Sequence, residues 1–207
     1  MSNIPGRGVV AAGLIVFGLG ALRARSEQPG PLEPPVLNEN SAAVKTPERV
    51  IRNWPALSMQ EARVLIAKYG EPDDFDDDSL VWHWNGPWQE TIVYRKARPS
   101  FTDGRKADIL EQSIRYDVPQ KKIAALERFD DRLEFDKASG ELSARSGSES
   151  GNYLALNLAD EIVGGKRTPS QARDFYRRTL KLAASGKSSP YLQGFLFHVR
   201  RGSPPQK

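Results

Sequence analysis

The 207-residue chain has no cysteine, two histidines and two methionines. Without cysteine there is no disulfide framework, thiolate metal site, cysteine nucleophile or lipid-modified cysteine. His83 and His198 lie far apart, and neither has a second histidine at ligand spacing, so nothing of the HExxH kind is present and no metal site is expected. A GxSxG nucleophile elbow is also missing, although the members of a Ser-His-Asp triad need not be neighbours in sequence. The balance favours a protein that is not an enzyme, and no cofactor is called for.

Long hydrophobic runs are scarce as well. Hydrophobic residues make up 39% and charged residues 27% of the chain, as expected of one soluble globular domain with appendages. The exception is Gly8 to Leu22 (GVVAAGLIVFGLGAL), bounded by Arg7 on one side and by Arg23 and Arg25 on the other. As a helix it would extend about 22 Å, against a hydrocarbon core of roughly 30 Å. Residues 1–25 therefore read as a single-pass membrane anchor through residues 8–22 or as a signal segment. The arginines in ALRARS speak against cleavage, and the flanking charges choose no side of the membrane for the rest of the chain. Residues 26–45, proline-rich and without periodicity, read as a spacer.

From 46 to 199 the pattern is that of a single compact α+β domain with a largely antiparallel sheet and flanking helices, followed by a flexible tail over 200–207. Ser58-Met59-Gln60-Glu61 reads as a capping box opening a helix with Ala62, Leu65, Ile66 and Tyr69 on one face, stopped by Gly70. Leu80, Trp82 and Trp84 alternate with Val81 and His83. The Asn85-Gly86-Pro87 turn then leads to a return strand over Thr91 to Arg95, through a loop longer than two residues. Leu110 to Tyr116 reads as a strand, Pro119 opens a short helix, and Leu133–Phe135 with Leu142–Ala144 form a second hairpin. Helices are expected over Asn152–Val163 and from Thr168-Pro169 to about Ser185. PYLQGFLFHV reads as a final strand. The order αββ, β, α, ββ, αα, β is not the alternation of a parallel doubly wound fold.

Two motif fragments dissolve on inspection. Gly186-Lys187-Ser188 resembles the end of a phosphate-binding loop, but Lys181 stands where its first glycine belongs and a helix precedes it. Asp74, Asp76 and Asp78 have the spacing of a calcium loop, yet Ser79 and Asn85 occupy the positions that need glycine and glutamate. The five aspartates of residues 73–78 thus read as a solvated acidic connection.

Charge is unevenly placed. Residues 166–207 carry ten lysines and arginines against Asp174 alone. Arg173, Arg177 and Lys181 recur every four residues and form one stripe on the last helix, suited to anionic lipid headgroups or an acidic protein surface. Exposed aromatics do not interleave with these cations, so nucleic acid is not the favoured partner. Among the aromatics, Trp82 and Trp84 are expected in the core, whereas Trp88, just past the turn, and His83 are the candidate ligand-binding residues.

The strings LSMQEARVLIAKYGEP, VWHWNGPWQETIVYR and NYLALNLADEIVGGKRT resemble a family of bacterial proteins over roughly residues 54–197. That family has no assigned activity, so the resemblance implies no catalytic residue. A helix ending in Gly-x-Pro before a hairpin is also similar to the αββ unit of outer-membrane assembly lipoproteins of the SmpA/OmlA type, whose lipidated cysteine this chain lacks. The expected function is a membrane-tethered binding or interaction module. The alternatives are a small-molecule sensor or enzyme with a pocket near the Trp82–Trp88 hairpin, and a structural envelope component.

Overall fold

A computed structural model describes residues 45–98 and 108–200. The anchor, nearly all of the spacer and the tail from residue 201 lie outside the described residues. Among the described residues no helix is long and apolar enough to cross a membrane.

The elements run α1 (Pro47–Ile51), α2 (Ala56–Tyr69), β1 (Asp74–Phe75), β2 (Ser79–His83), β3 (Glu90–Arg98), β4 (Asp108–Arg115), α3 (Gln120–Phe129), β5 (Leu133–Asp136), β6 (Glu141–Ser146), α4 (Glu149–Val163) and α5 (Pro169–Ala184), with a 3₁₀ turn over Pro190–Leu192. The six strands form one sheet in the order β1-β2-β3-β4-β6-β5, every neighbour antiparallel. The α+β class with an antiparallel sheet and flanking helices is thus as the sequence pattern indicates.

Period-two alternation decides what each sheet face carries. On the helix-covered face, the cross-strand row Trp82, Thr91, Gln112, Ala144 and Leu133 separates apolar residues such as Leu80, Val93 and Leu110 from Ile114 and Leu142. The core divides accordingly. One cluster joins Ile51, Trp54, Ala62 and Leu65 of the N-terminal helical region to Leu80, Trp82, Val93 and Leu110. The other gathers Ile114, Leu142 and Ala144 under Leu154, Leu158 and Ile162 of α4, Leu126 and Phe129 of α3, and Ala172 and Tyr176 of α5. Tyr69 packs against both.

Three local expectations change. The Ser58–Glu61 capping box does not form, because Pro55 lets α2 begin at Ala56 and leaves Ser58 inside the helix. The Ser58 hydroxyl instead donates to the Arg95 carbonyl at 3.0 Å, tying α2 to β3. The acidic run is partly structural: Asp74 and Phe75 form the edge strand β1, and Asp76 Oδ1 accepts from the amides of Asp78 (2.8 Å) and Ser79 (2.6 Å). Those donors hold Asp76 below the usual carboxylate range, and the exposed aspartates around it blunt an otherwise open sheet edge.

The final strand is absent. Residues 190–199 form the 3₁₀ turn and irregular chain, because the ladder partner a strand would need is supplied by one side chain of α4. Asn157, 1% exposed, donates to the carbonyls of Tyr191 (3.2 Å) and Gly194 (2.8 Å) and accepts from the Leu196 amide (2.8 Å).

Candidate functional site

The loop between β2 and β3 is closed by the Trp84 amide donating to the Gln89 carbonyl (2.8 Å) and the Trp88 amide donating to that of Asn85 (3.1 Å). Trp84 and Gly86 both have positive φ, 57° and 59°. Glycine is required at 86 on a second count: a Cβ there would lie 3.0 Å from the Tyr69 ring. This turn puts Pro87 at the surface and drives Trp88 inward.

The expected roles of two tryptophans are therefore exchanged. Trp82 is buried as foreseen, its indole donating to the Gly70 carbonyl at 2.9 Å. Trp84 lies beyond the strand and only half-buried, because its left-handed backbone breaks the alternation. Trp88, expected at a rim, is 2% exposed.

Under Trp88 lies a carboxylate junction. Glu149, the first residue of α4, accepts from the Trp88 indole N–H (2.7 Å), the Tyr69 hydroxyl and the Gln112 amide (3.5 Å) on Oε1, and from the Lys68 ammonium on Oε2. Burial alone would raise this carboxyl, but the Lys68, Tyr69 and Trp88 donors outweigh it and hold Glu149 below the usual range. Its position at a helix N-terminus suits a negative charge. Glu61, which accepts from the Glu149 backbone, is shifted upward, chiefly by burial. Deeper in the core, Gln112 continues a neutral chain: Asn152 donates to Gln112 Oε1 (3.1 Å), while Gln112 and Asn85 both donate to the Thr91 hydroxyl (3.2 and 3.0 Å).

Above Trp88, aromatic rings continue to the surface. Trp88 meets Tyr153 at 4.8 Å and Phe195 at 5.0 Å between ring centroids, and Phe195 leads to Phe197 at 5.2 Å. Burial raises the Tyr153 hydroxyl above its ordinary value, and the negative charge of Glu149 adds to the shift. An open groove of about 540 Å³ runs along these rings, lined by Pro87, Tyr153, Phe195, Phe197, His198 and Val199.

The other residues singled out by sequence are not brought together with Trp88. His83 stands exposed on the opposite sheet face, 3.6 Å from an Asp74 oxygen and 3.3 Å from one of Glu90. Arg173 turns toward α3 and donates to the Arg128 carbonyl, and Arg177 pairs with Asp174 one turn back. Lys181 is exposed, so the stripe is less uniform than its spacing suggests. Among the described residues no group of three His, Cys, Asp or Glu side chains is placed to hold a metal ion.

Sequence reasoning missed Glu149, Tyr153, Phe195 and Phe197 as site residues. The one available signal was GFLFHV, whose two phenylalanines, two apart, have the spacing of a strand face. No protein-family model, no curated protein and no solved structure matches the chain.

Proposed function

We propose that the chain is a membrane-tethered binding module whose ligand face is the aromatic groove beside the Trp82–Trp88 hairpin. The carrying observation is the line of rings that leads from buried Trp88 to Phe195 and Phe197 on the wall of an open groove of about 540 Å³. That volume lies within the roughly 300–1,000 Å³ of small-molecule sites, which are mostly apolar with a few polar groups to orient the ligand. Here the His198 imidazole on the lining is such a group. The ligand class is an apolar, ring-bearing molecule.

Other parts of the reading rest on sequence. The tether is supported by the apolar run Gly8–Leu22 and the proline-rich residues 26–45. Arg177 and Lys181, exposed on α5, suit an anionic lipid surface as a second contact. The bacterial family resemblance stays a proposal too. Its three strings fall on α2, the β2–β3 hairpin and α4, the elements that meet at Glu149.

The test has two arms. Full-length protein should sediment with membranes, resist high salt and dissolve in detergent; recovery in the soluble fraction sinks the tether. For the groove, titration with 4-phenylbutyrate should change tryptophan emission saturably, with a Kd on the order of millimolar for so small a ligand. Phe197→Ser should abolish that response. A non-saturable signal, or one unchanged in Phe197→Ser, overturns the groove reading.

A further inference from the structure

The face of the sheet turned away from the helices holds a second arrangement, independent of the aromatic groove. Cross-strand register places Glu90, Ser113 and Ser143 side by side on β3, β4 and β6, with Glu111 and Arg145 paired in the next row. Ser113 belongs to this face, since its neighbours Gln112 and Ile114 point into the core. Yet Ser113 is only 7% exposed, so longer neighbouring side chains must cover it, and its buried hydroxyl has no hydrogen-bond partner.

A second buried oxygen without a partner belongs to Gln89, whose backbone is bonded to that of Ser113. The Gln89 amide N–H donates to the Ser113 carbonyl at 2.9 Å, and the Gln89 side-chain nitrogen donates to Glu141. That bond orients the side-chain amide and leaves Gln89 Oε1 unpartnered. Around these two oxygens stand the carboxylates of Glu90 and Glu141. Glu111 is engaged by the Tyr94 hydroxyl (3.0 Å) and by Arg145 (3.5 Å), and Arg115 is exposed at the end of β4. Burial holds Glu90 above the usual carboxylate range; His83 opposes that shift, while Glu141 and Glu111 add to it.

Acceptors therefore converge here: His83 faces Glu90 at 3.3 Å, and the Gln89 amide and the cross-strand neighbour Arg115 face Glu141, but the Ser113 and Gln89 oxygens are met by no donor. A metal ion fits poorly, because among the described residues no three carboxylates or imidazoles are spaced to close on one ion. An ammonium group offers three donors and a positive charge on a flexible stem, which can meet oxygens spread over neighbouring strands. We propose that the Ser113 site, framed by Gln89, Glu90 and Glu141 on the open sheet face, binds an alkylammonium group. The ammonium comes either from a free polyamine or from a lysine side chain.

The test is calorimetric titration of the full chain in a non-ionic detergent at low ionic strength. The probes are spermidine, the peptide acetyl-Ala-Lys-Ala-Lys-Ala-amide, and magnesium or calcium chloride alone. Saturable binding of spermidine or of the lysine peptide is expected, and which of them binds more tightly identifies the source. Glu90→Gln with Glu141→Gln should weaken it by about tenfold or more, through loss of charge-assisted hydrogen bonds. Ser113→Ala should weaken it by a smaller factor. Asp77→Asn with Asp78→Asn, which changes the acidic connection away from His83 and Glu90, should leave binding unchanged. Because the Glu-to-Gln changes are nearly isosteric, circular dichroism of each variant checks that the fold is kept. No binding of either amine, equal binding by the Glu90/Glu141 variant, loss confined to the Asp77/Asp78 variant, or binding of the divalent metals alone would each overturn the proposal.

Discussion

The two faces of the sheet solve the same problem differently. On the inner face each polar group sits among rings and aliphatic side chains, so its bonds have to be made within the protein. Thr91, Gln112 and the carboxylate of Glu149 do this by chaining donors to acceptors, and Trp82 by donating to the Gly70 carbonyl. On the outer face, charged side chains pair across strands, at half exposure in the contact of His83 with Glu90 and more deeply where Arg145 stacks on Tyr94 at 3.8 Å. Burial raises the Tyr94 hydroxyl to about 12, with the Glu111 charge adding to it. One backbone ladder therefore supports both a solvent-independent network and one that is screened by solvent in part. What separates them is whether water can replace a lost partner.

Removing inner-face bulk should have the largest effect. Trp82→Ala or Trp88→Ala is expected to lower stability by about 3–5 kcal/mol in denaturant unfolding, from lost burial and the cavity left behind. The two should be similar, since both indoles are buried and both donate a hydrogen bond. A Trp88→Ala variant as stable as the parent would place Trp88 with the outer-face residues.

An intermediate effect belongs to Glu149. Its folded-state value is depressed, so its contribution is complete above the ordinary glutamate value of about 4.3 and is lost as pH falls through the folded-state value below that. Glu149→Gln should cost on the order of 2 kcal/mol at neutral pH and flatten the acid limb of a stability-against-pH curve. Glu61 works in the opposite sense. Its raised value makes it most favourable below the ordinary value, and that contribution fades as pH rises through the folded-state value. Glu61→Gln should therefore leave the acid limb steeper. An acid limb that Glu149→Gln does not change would show that the junction carries no linkage.

The smallest effect is expected on the outer face. His83→Ala should fall within about 0.5 kcal/mol of the parent in the same assay, because its neighbours Asp74 and Glu90 stay solvated when it is removed. A loss several times larger would mean that the two faces are more alike than their burial indicates.

Local signals in the sequence were sufficient for most of the fold. Period-two patterning at Leu110 to Tyr116, turn chemistry at Lys137-Ala138-Ser139-Gly140 and the Thr168-Pro169 helix start all lie where the elements are found, the last as a full capping box with Gln171. What failed depended on partners distant in sequence. Ser58 looked like a cap because its hydrogen-bond partner, Arg95, lies in another element. PYLQGFLFHV looked like a strand because nothing local reveals that Asn157 meets its backbone. Trp84 and Trp88 exchanged roles because one left-handed residue shifts the alternation. The site was harder to see still: Glu149 becomes notable only when α2, the hairpin and β4 converge on it.

The bonds made by Asn157 also bear on time. A strand in a sheet is held by a ladder of backbone bonds, whereas the backbone from Tyr191 to Leu196 is tied to α4 by the Asn157 side chain, with the Tyr191 hydroxyl on Glu161 and the rings around Phe195 as its further contacts. Its opening would break no ladder bond of the six-stranded sheet, and sub-global openings of that kind occur more often than global unfolding. Each opening carries Phe195 away from Trp88 and Tyr153. Opening of the groove therefore requires the Asn157 bonds and these ring contacts to break, but not the unfolding of the whole domain.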